Sequence, residues 1–220
     1  SQRITRGGRV LLIVDGPEVA TDSEVFIYLD RRRYADGEPA IICHPNSKHV
    51  ICEHCRVIER GWEVSSDNYA LESVWLPQAN SVGDSAFRRC RQLVRVSLPV
   101  VESIGRSAFF ACTSLRSVSL DAQILGDFAF AFCSGLRTVS LPYARFASVN
   151  LFEGCFQLES VSMPIATEVR TSSFTRCRSL TEVSLPAVRH VGLIAFLSCD
   201  SLEALSFPRL ESVHREAFIR

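Results

Sequence analysis

Cysteine and histidine are the residues whose types and spacing in this chain can support chemistry. Three cysteines cluster early, in Cys43-His44-Pro45-Asn46-Ser47-Lys48-His49-Val50-Ile51-Cys52-Glu53-His54-Cys55. A C-x-x-C pair with a third Cys and a nearby His can supply four tetrahedral zinc ligands. Cys43, Cys52 and Cys55 with His49 therefore form a candidate zinc set, in which His44 and His54 compete for the fourth place. No second C-x-x-C follows, so the plainer reading makes these cysteines ordinary residues of a small cap, with zinc as the sharper alternative and no other cofactor implied. Redox C-x-x-C chemistry wants a helix N-terminus behind its first Cys, and the local sequence offers none. The other six cysteines recur at fixed intervals and form one column, which reads as buried apolar thiols rather than as disulfides.

Other chemistry is thinly represented. Arg31-Arg32-Arg33-Tyr34 is a basic run, but without an aromatic platform it reads as a solvated turn rather than a nucleic-acid contact. There is no G-x-G-x-x-G, P-loop or G-x-S-x-G, and no acid–base pair stands out; His190 and His214 fall at variable positions and read as surface residues. The expectation is a protein that is not an enzyme. Lys+Arg and Asp+Glu balance at 24 each, so no global basic field favours nucleic acid or anionic lipid. Lys48 is the only lysine, which reads as a compositional bias toward arginine. Hydrophobic residues make up 47 % and charged residues 22 % of 220, ordinary values for a folded domain. No apolar run approaches the roughly 18 residues of a membrane-spanning helix.

The elements that must position these residues announce themselves as a repeat. Phe87, Phe109, Phe130, Phe152, Phe174, Phe196 and Phe218 recur every 22 residues, with one interval of 21. Cys90, Cys112, Cys133, Cys155, Cys177 and Cys199 follow each Phe by three, and Leu93, Leu115, Leu136, Leu158, Leu180 and Leu202 follow each Cys by three. Val96, Val118, Val139, Val161, Val183 and Leu205 come next, then Leu98, Leu120, Leu141, Met163, Leu185 and Phe207, then Pro, with Asp121 as the exception. Leu71, Val74, Leu76 and Pro77 form a degenerate first copy. The V-x-L segment alternates with period two and predicts a short strand that Pro terminates. The spacing of A-F-x-x-C-x-x-L predicts a single helical or 3₁₀ turn burying Phe, Cys and Leu. Gly83, Gly105, Gly126 and Gly192 mark turns, although Ser148, Arg170 and His214 replace Gly in other copies. One copy cannot close a core, so neighbours must stack into a parallel-stranded solenoid. The missing residue of the short copy falls between Leu120 and Phe130, after its strand.

This pattern resembles the BspA-type leucine-rich repeat, carried most closely by Val82-Gly83-Asp84-Ser85-Ala86-Phe87, Ile104-Gly105-Arg106-Ser107-Ala108-Phe109 and Val191-Gly192-Leu193-Ile194-Ala195-Phe196. It departs from the commoner leucine-rich repeat in placing Pro after the strand and Cys before it. The resemblance covers residues 66–220 and implies a curved right-handed solenoid used for binding, found in surface proteins of bacteria and protists and also inside protist cells. Residues 1–65 do not fit the repeat. Val10–Val14 and Val25–Leu29 read as two strands, and Ala40–Ile42 and Val50–Ile51 as another pair around Pro45-Asn46-Ser47, giving a small β-rich N-terminal cap. Val10–Val14 is too short for a signal-peptide core, and the sequence opens at Ser1, so an initiator Met was removed or the true start lies upstream. At the other end Ala217-Phe218-Ile219-Arg220 stops in mid-repeat without a polar cap, so either the chain continues or a partner covers that end.

The outward strand positions supply the candidate site. Between the inward Val and Leu lie Trp75, Ser97, Ser119, Ser140, Ser162, Ser184 and Ser206. Their flank is basic in the early copies (Arg95, Arg116, Arg137) and acidic in the late ones (Glu159, Glu182, Glu203). Such a face is a polar protein-binding groove with Trp75 as anchor; alternatively, Ser simply packs between strands and bonds along the ladder. The expectation is a protein-interaction scaffold, a subunit of a larger intracellular complex that binds through this concave face and the uncapped end. The alternatives are a cell-surface adhesin and a zinc-stabilised N-terminal binding module.

Overall fold

The computed structural model describes residues 70–219 throughout, with the earlier strands Gln2–Arg6, Arg9–Val14, Phe26–Asp30, Ala40–Ile42, His49–Ile51 and Val57–Ile58. The repeats form a parallel solenoid. Each of the first six copies contributes a three-residue strand centred on the repeat Val: Ser73–Trp75, Arg95–Ser97, Ser117–Ser119, Thr138–Ser140, Ser160–Ser162 and Glu182–Ser184. These strands make the first sheet, in register Val on Val and Ser on Ser. A second, two-residue strand follows in each coil, from Ser81–Val82 through Ser103–Ile104 to Ser212–Val213. Those strands build a second parallel sheet where the sequence reads only as a variable stretch ending in V/I-G. Period-two alternation over two residues is too short to be seen without neighbours.

Among the described residues the A-F-x-x-C segment holds no helix, contrary to the spacing. It is a run of tight turns whose amides alternate between two kinds of partner. Ala86, Arg88 and Cys90 donate back three residues, to Gly83, Ser85 and Phe87. Ser85, Phe87 and Arg89 donate instead to Arg106, Ala108 and Phe110 of the next coil. A 3₁₀ turn would direct every amide inward. Here Ser85 and Arg89, at φ 60° and 62°, turn alternate amides outward, and the same two columns repeat the left-handed conformation down the chain. Coil-to-coil hydrogen bonds thus run on three sides: first sheet, second sheet and turn side.

The glycine column serves close approach rather than left-handed φ. A Cβ on Gly126 would sit 2.4 Å from the Arg106 nitrogen and 2.5 Å from the Gly105 carbonyl carbon. The first sheet is not continuous. Coil 3 is the 21-residue copy, and Leu120-Asp121-Ala122 replaces the longer corner Leu98-Pro99-Val100-Val101. A coil with a short corner cannot match both strands of a neighbour of normal length. It therefore pairs with coil 2 only through Ser103–Ile104 and Ile124–Leu125, and with coil 4 only through Ser117–Ser119 and Thr138–Ser140. Where the second sheet opens, the Ser148 hydroxyl donates to the Leu125 carbonyl, at a column that holds Gly in four other copies. The seventh copy adds no strand to the first sheet. Leu205 there replaces the β-branched Val of the other copies, and β-branching favours the pleated conformation.

Near the N-terminus, Gln2–Arg6, Arg9–Val14, Phe26–Asp30 and Ala40–Ile42 pair in that order in a sheet of their own. The expected pairing of Val50–Ile51 with Ala40–Ile42 is not observed. Ala40–Ile42 pairs with Phe26–Asp30, and His49–Ile51 runs parallel to Ser73–Trp75. His49–Ile51 and Val57–Ile58 extend both solenoid sheets by one coil. The parallel ladder captured that segment because Val50 and Ile58 occupy its inward columns and are buried.

The core is a stack of side-chain columns. Phe87, Phe109, Phe130, Phe152, Phe174, Phe196 and Phe218 stack with successive ring centroids 5.1–5.8 Å apart. The cysteines beside them are buried thiols. Cys112, Cys133, Cys155, Cys177 and Cys199 each donate to the carbonyl of the Phe in the preceding coil, at 3.1–3.2 Å. That explains a cysteine here better than apolarity alone, since Ala would leave the carbonyl one partner short. Burial pushes Cys90 and Cys199 up to about 12, and also raises Cys112, Cys155 and Cys177.

Two outcomes follow. Phe152→Ala opens the middle of the stack and should cost about 3–5 kcal/mol in urea unfolding, whereas a loss under about 1 kcal/mol would mean the column is not the core. Burial holds the Cys90, Cys112, Cys155, Cys177 and Cys199 thiols protonated in the folded chain while unfolded thiols ionise near 9.0, so their stability contribution is complete below that pH and is lost toward about 12. The urea midpoint should fall from about pH 8 to about pH 10.5, and a Cys112→Ala, Cys155→Ala double variant should show a shallower fall; equal slopes would refute the assignment.

Candidate protein-binding face

The first sheet presents the candidate residues in order along the solenoid. Trp75 is half-buried at the end of its strand, level with Ser97 in coil 2. Ser119, Ser140, Ser162 and Ser184 face outward in one register row, with Val118, Val139 and Val161 buried beneath. No side-chain hydrogen bond forms at Ser97, Ser119, Ser140, Ser162 or Ser184 among the described residues. Serine-to-serine bonding along the ladder occurs on the other sheet, where Ser103 donates to Ser81 at 3.0 Å. The hydroxyl row of the first sheet is therefore unspent.

The charges form a gradient. Arg95 opens the strand of coil 2, and Arg116 precedes that of coil 3, its guanidinium lying over the backbone of Gly135. Both are exposed and neither joins an ion pair among the described residues. Arg137 pairs with Glu159 across coils 4 and 5. Both partners are about half exposed, so the pair orders the side chains more than it stabilises the fold. Glu182 is the first residue of the coil 6 strand, is exposed and has no cationic partner among the described residues. Glu203 is exposed too, but it lies beyond the last strand of this sheet, because the seventh copy does not extend it. The sequence-selected positions from Trp75 to Glu182 thus lie on the same side of the solenoid, Trp75 and Arg95 on the sheet that ends at coil 2 and the others along the sheet of coils 3 to 6, while Glu203 and Ser206 stand past its edge.

The second sheet carries a groove that its brevity hides in the sequence. It has a volume of about 530 Å³ and is lined by Val149, Glu168, Arg170, His190, Val213 and His214, among others. The partly exposed Arg170 side chain is held on the surface: its guanidinium lies 3.8 Å over the Phe146 ring and its Nε donates to Glu168 at 3.2 Å. His190 hydrogen-bonds Ser212. His190 and His214 are exposed, as their variable positions imply. Cys43, Cys52, Cys55 and Arg31-Arg32-Arg33-Tyr34 lie outside the described residues, and His49 opens the strand His49–Ile51. Among the described residues no three His, Cys, Asp or Glu side chains converge on a metal position, and no helix is long and apolar enough to cross a membrane.

Comparison with known proteins agrees with this architecture. The fold is similar to that of the T. pallidum leucine-rich repeat protein TpLRR, with 22% identity over 80% of this chain and 88% of that one, at a TM-score of 0.62. It is similar to a leucine rich cell surface protein from Faecalibacterium prausnitzii, at 24% identity, TM-score 0.62, over 86% of this chain and 54% of that one. A leucine-rich repeat protein from Eubacterium ventriosum matches at 18% identity, TM-score 0.63, over 84% and 48%. The chain thus spans about half the length of these last two. No curated protein sequence matches it. The family model of the BspA type leucine rich repeat region matches residues 66–165 and 103–220 in 6 copies, and with the stacked Phe, Cys and Val columns this establishes that the chain belongs to the BspA-type leucine-rich repeat family.

Proposed function

We propose that this chain is a non-catalytic scaffold that binds a protein partner on the serine-lined face of its first sheet, as a subunit of a larger intracellular assembly. The repeat family supports protein interaction as the general role. The observation that carries the finer reading is the hydroxyl row, unspent among the described residues, flanked by the exposed Arg95 and Arg116 at one end and Glu182 at the other, none of which joins an ion pair among the described residues. Small side chains let a partner's backbone approach closely, and the opposed charges orient it. Trp75 anchors the edge, since a half-buried Trp offers large area at low entropy cost. The buried thiol ladder suits a reducing compartment.

A second reading is supported by the F. prausnitzii protein, which is described as a cell surface protein and shares this fold. In that case the same face would bind an extracellular protein. A membrane-impermeant label applied to intact cells separates the two: modification of Lys48 at the level of known exterior proteins would replace the intracellular reading.

For the face itself, Trp75→Ala with Arg95→Glu should weaken capture of a cross-linked native partner by about 30-fold, a loss typical of an interfacial Trp. Circular dichroism and the unfolding midpoint of the variant check that the solenoid survives. Partner capture at the wild-type level would remove this face from the interface.

A further inference from the structure

We infer that the charge-graded face is self-complementary and that a second copy of this chain occupies it, in an antiparallel, two-fold-symmetric dimer. This rests on the reading of that face as the binding surface.

Register along the solenoid selects this arrangement. The charged positions are Arg95 in coil 2, Arg116 in coil 3, Arg137 in coil 4, Glu159 in coil 5, Glu182 in coil 6 and Glu203 in coil 7. A two-fold axis parallel to the strands, passing between coils 4 and 5, lays the face on its own copy with the coil order reversed. Coil 2 then meets coil 7, coil 3 meets coil 6, and coil 4 meets coil 5. Arg137 faces Glu159 of the other copy at the same height, Arg116 comes within one residue of the height of Glu182, and Arg95 comes as near in height to Glu203, which stands past the last strand of the sheet. Every basic coil meets an acidic one, and symmetry doubles each contact. Moving the axis onto coil 4 would set Arg137 against itself, so the charges select one register. Arg116 and Glu182 are exposed and have no ion-pair partner among the described residues, which leaves them available. Coil 1, with Glu72, and the coil of His49–Ile51 before it fall outside the paired coils.

Shape agrees. Hydrogen bonds on at least two sides join each pair of neighbouring coils, and from coil 3 to coil 6 the first sheet itself is unbroken, which keeps the face shallow there. Ser97, Ser119, Ser140, Ser162 and Ser184 put nothing bulky between the sheets. Five spacings of about 4.8 Å set coils 2 and 7 about 24 Å apart, which gives an interface at the small end of the specific range. The dimer should therefore be of micromolar strength and sensitive to salt.

Sedimentation equilibrium of the purified chain over about 1–500 μM tests this. The expected result is a monomer–dimer equilibrium that weakens at least about tenfold between about 50 mM and 500 mM NaCl. R116E and E182R should each weaken it by about tenfold or more, and the R116E/E182R chain should return to within about threefold of wild type, because the swap restores opposite charges in the same register. Both residues are exposed, so the unfolding midpoint should stay unchanged and report that the fold is intact. A monomer at about 500 μM in low salt, single reversals without effect, or a double reversal that fails to recover would each overturn the dimer. A monomeric chain that still captures a heterologous partner through Trp75 and Arg95 would overturn it while leaving the scaffold reading in place.

Discussion

Main-chain hydrogen bonds between coils govern this molecule. On the turn side every second amide leaves its own coil to reach a carbonyl of the next. Both sheets do the same through parallel pairing. Buried amides left without partners would each cost a kilocalorie or more, so neighbouring coils must present their carbonyls at matching heights. Repeat length is therefore constrained more tightly than repeat composition. The one 21-residue coil shows the consequence: it keeps one strand pair with each neighbour and gives up the other. The Ser148 hydroxyl at the opened seam shows how a side chain can stand in for a main-chain bond.

The side-chain columns follow from the same geometry. Coils fixed at sheet spacing place each Phe ring directly over its predecessor, close enough to stack. The Phe carbonyl accepts the Cys amide of its own turn and the thiol of the following coil. Cysteine is small enough for that space and still carries a donor. Desolvation raises the Cys90, Cys112, Cys155, Cys177 and Cys199 thiols well above their ordinary range, which suits them to packing rather than to thiolate chemistry.

What remains for function is surface. With the inward positions committed to packing, variation is concentrated on outward positions, and there the chain departs from uniformity. Serine recurs along the first sheet, while charge changes sign from one end to the other. The Arg137–Glu159 pair neutralises the middle and leaves the two ends charged. A face of this kind discriminates by orientation as much as by affinity.

The sequence by itself determined the repeat, the inward columns, the outward serines and the order of the charges. Each depends on spacing along the chain, and spacing is preserved when coils stack. It also located the short copy, at Leu120 to Phe130. Only the tertiary structure decided where the hydrogen bonds go. It turned the A-F-x-x-C segment from an expected helical turn into alternating bonds, because adjacent coils offer carbonyls that a lone segment lacks. It revealed the second sheet, whose two-residue strands have no meaning without neighbours. It left Glu203 past the sheet edge, because Leu205 does not extend the ladder. And it drew His49–Ile51 into the parallel ladder, since a matching inward column outweighs a local turn between adjacent strands.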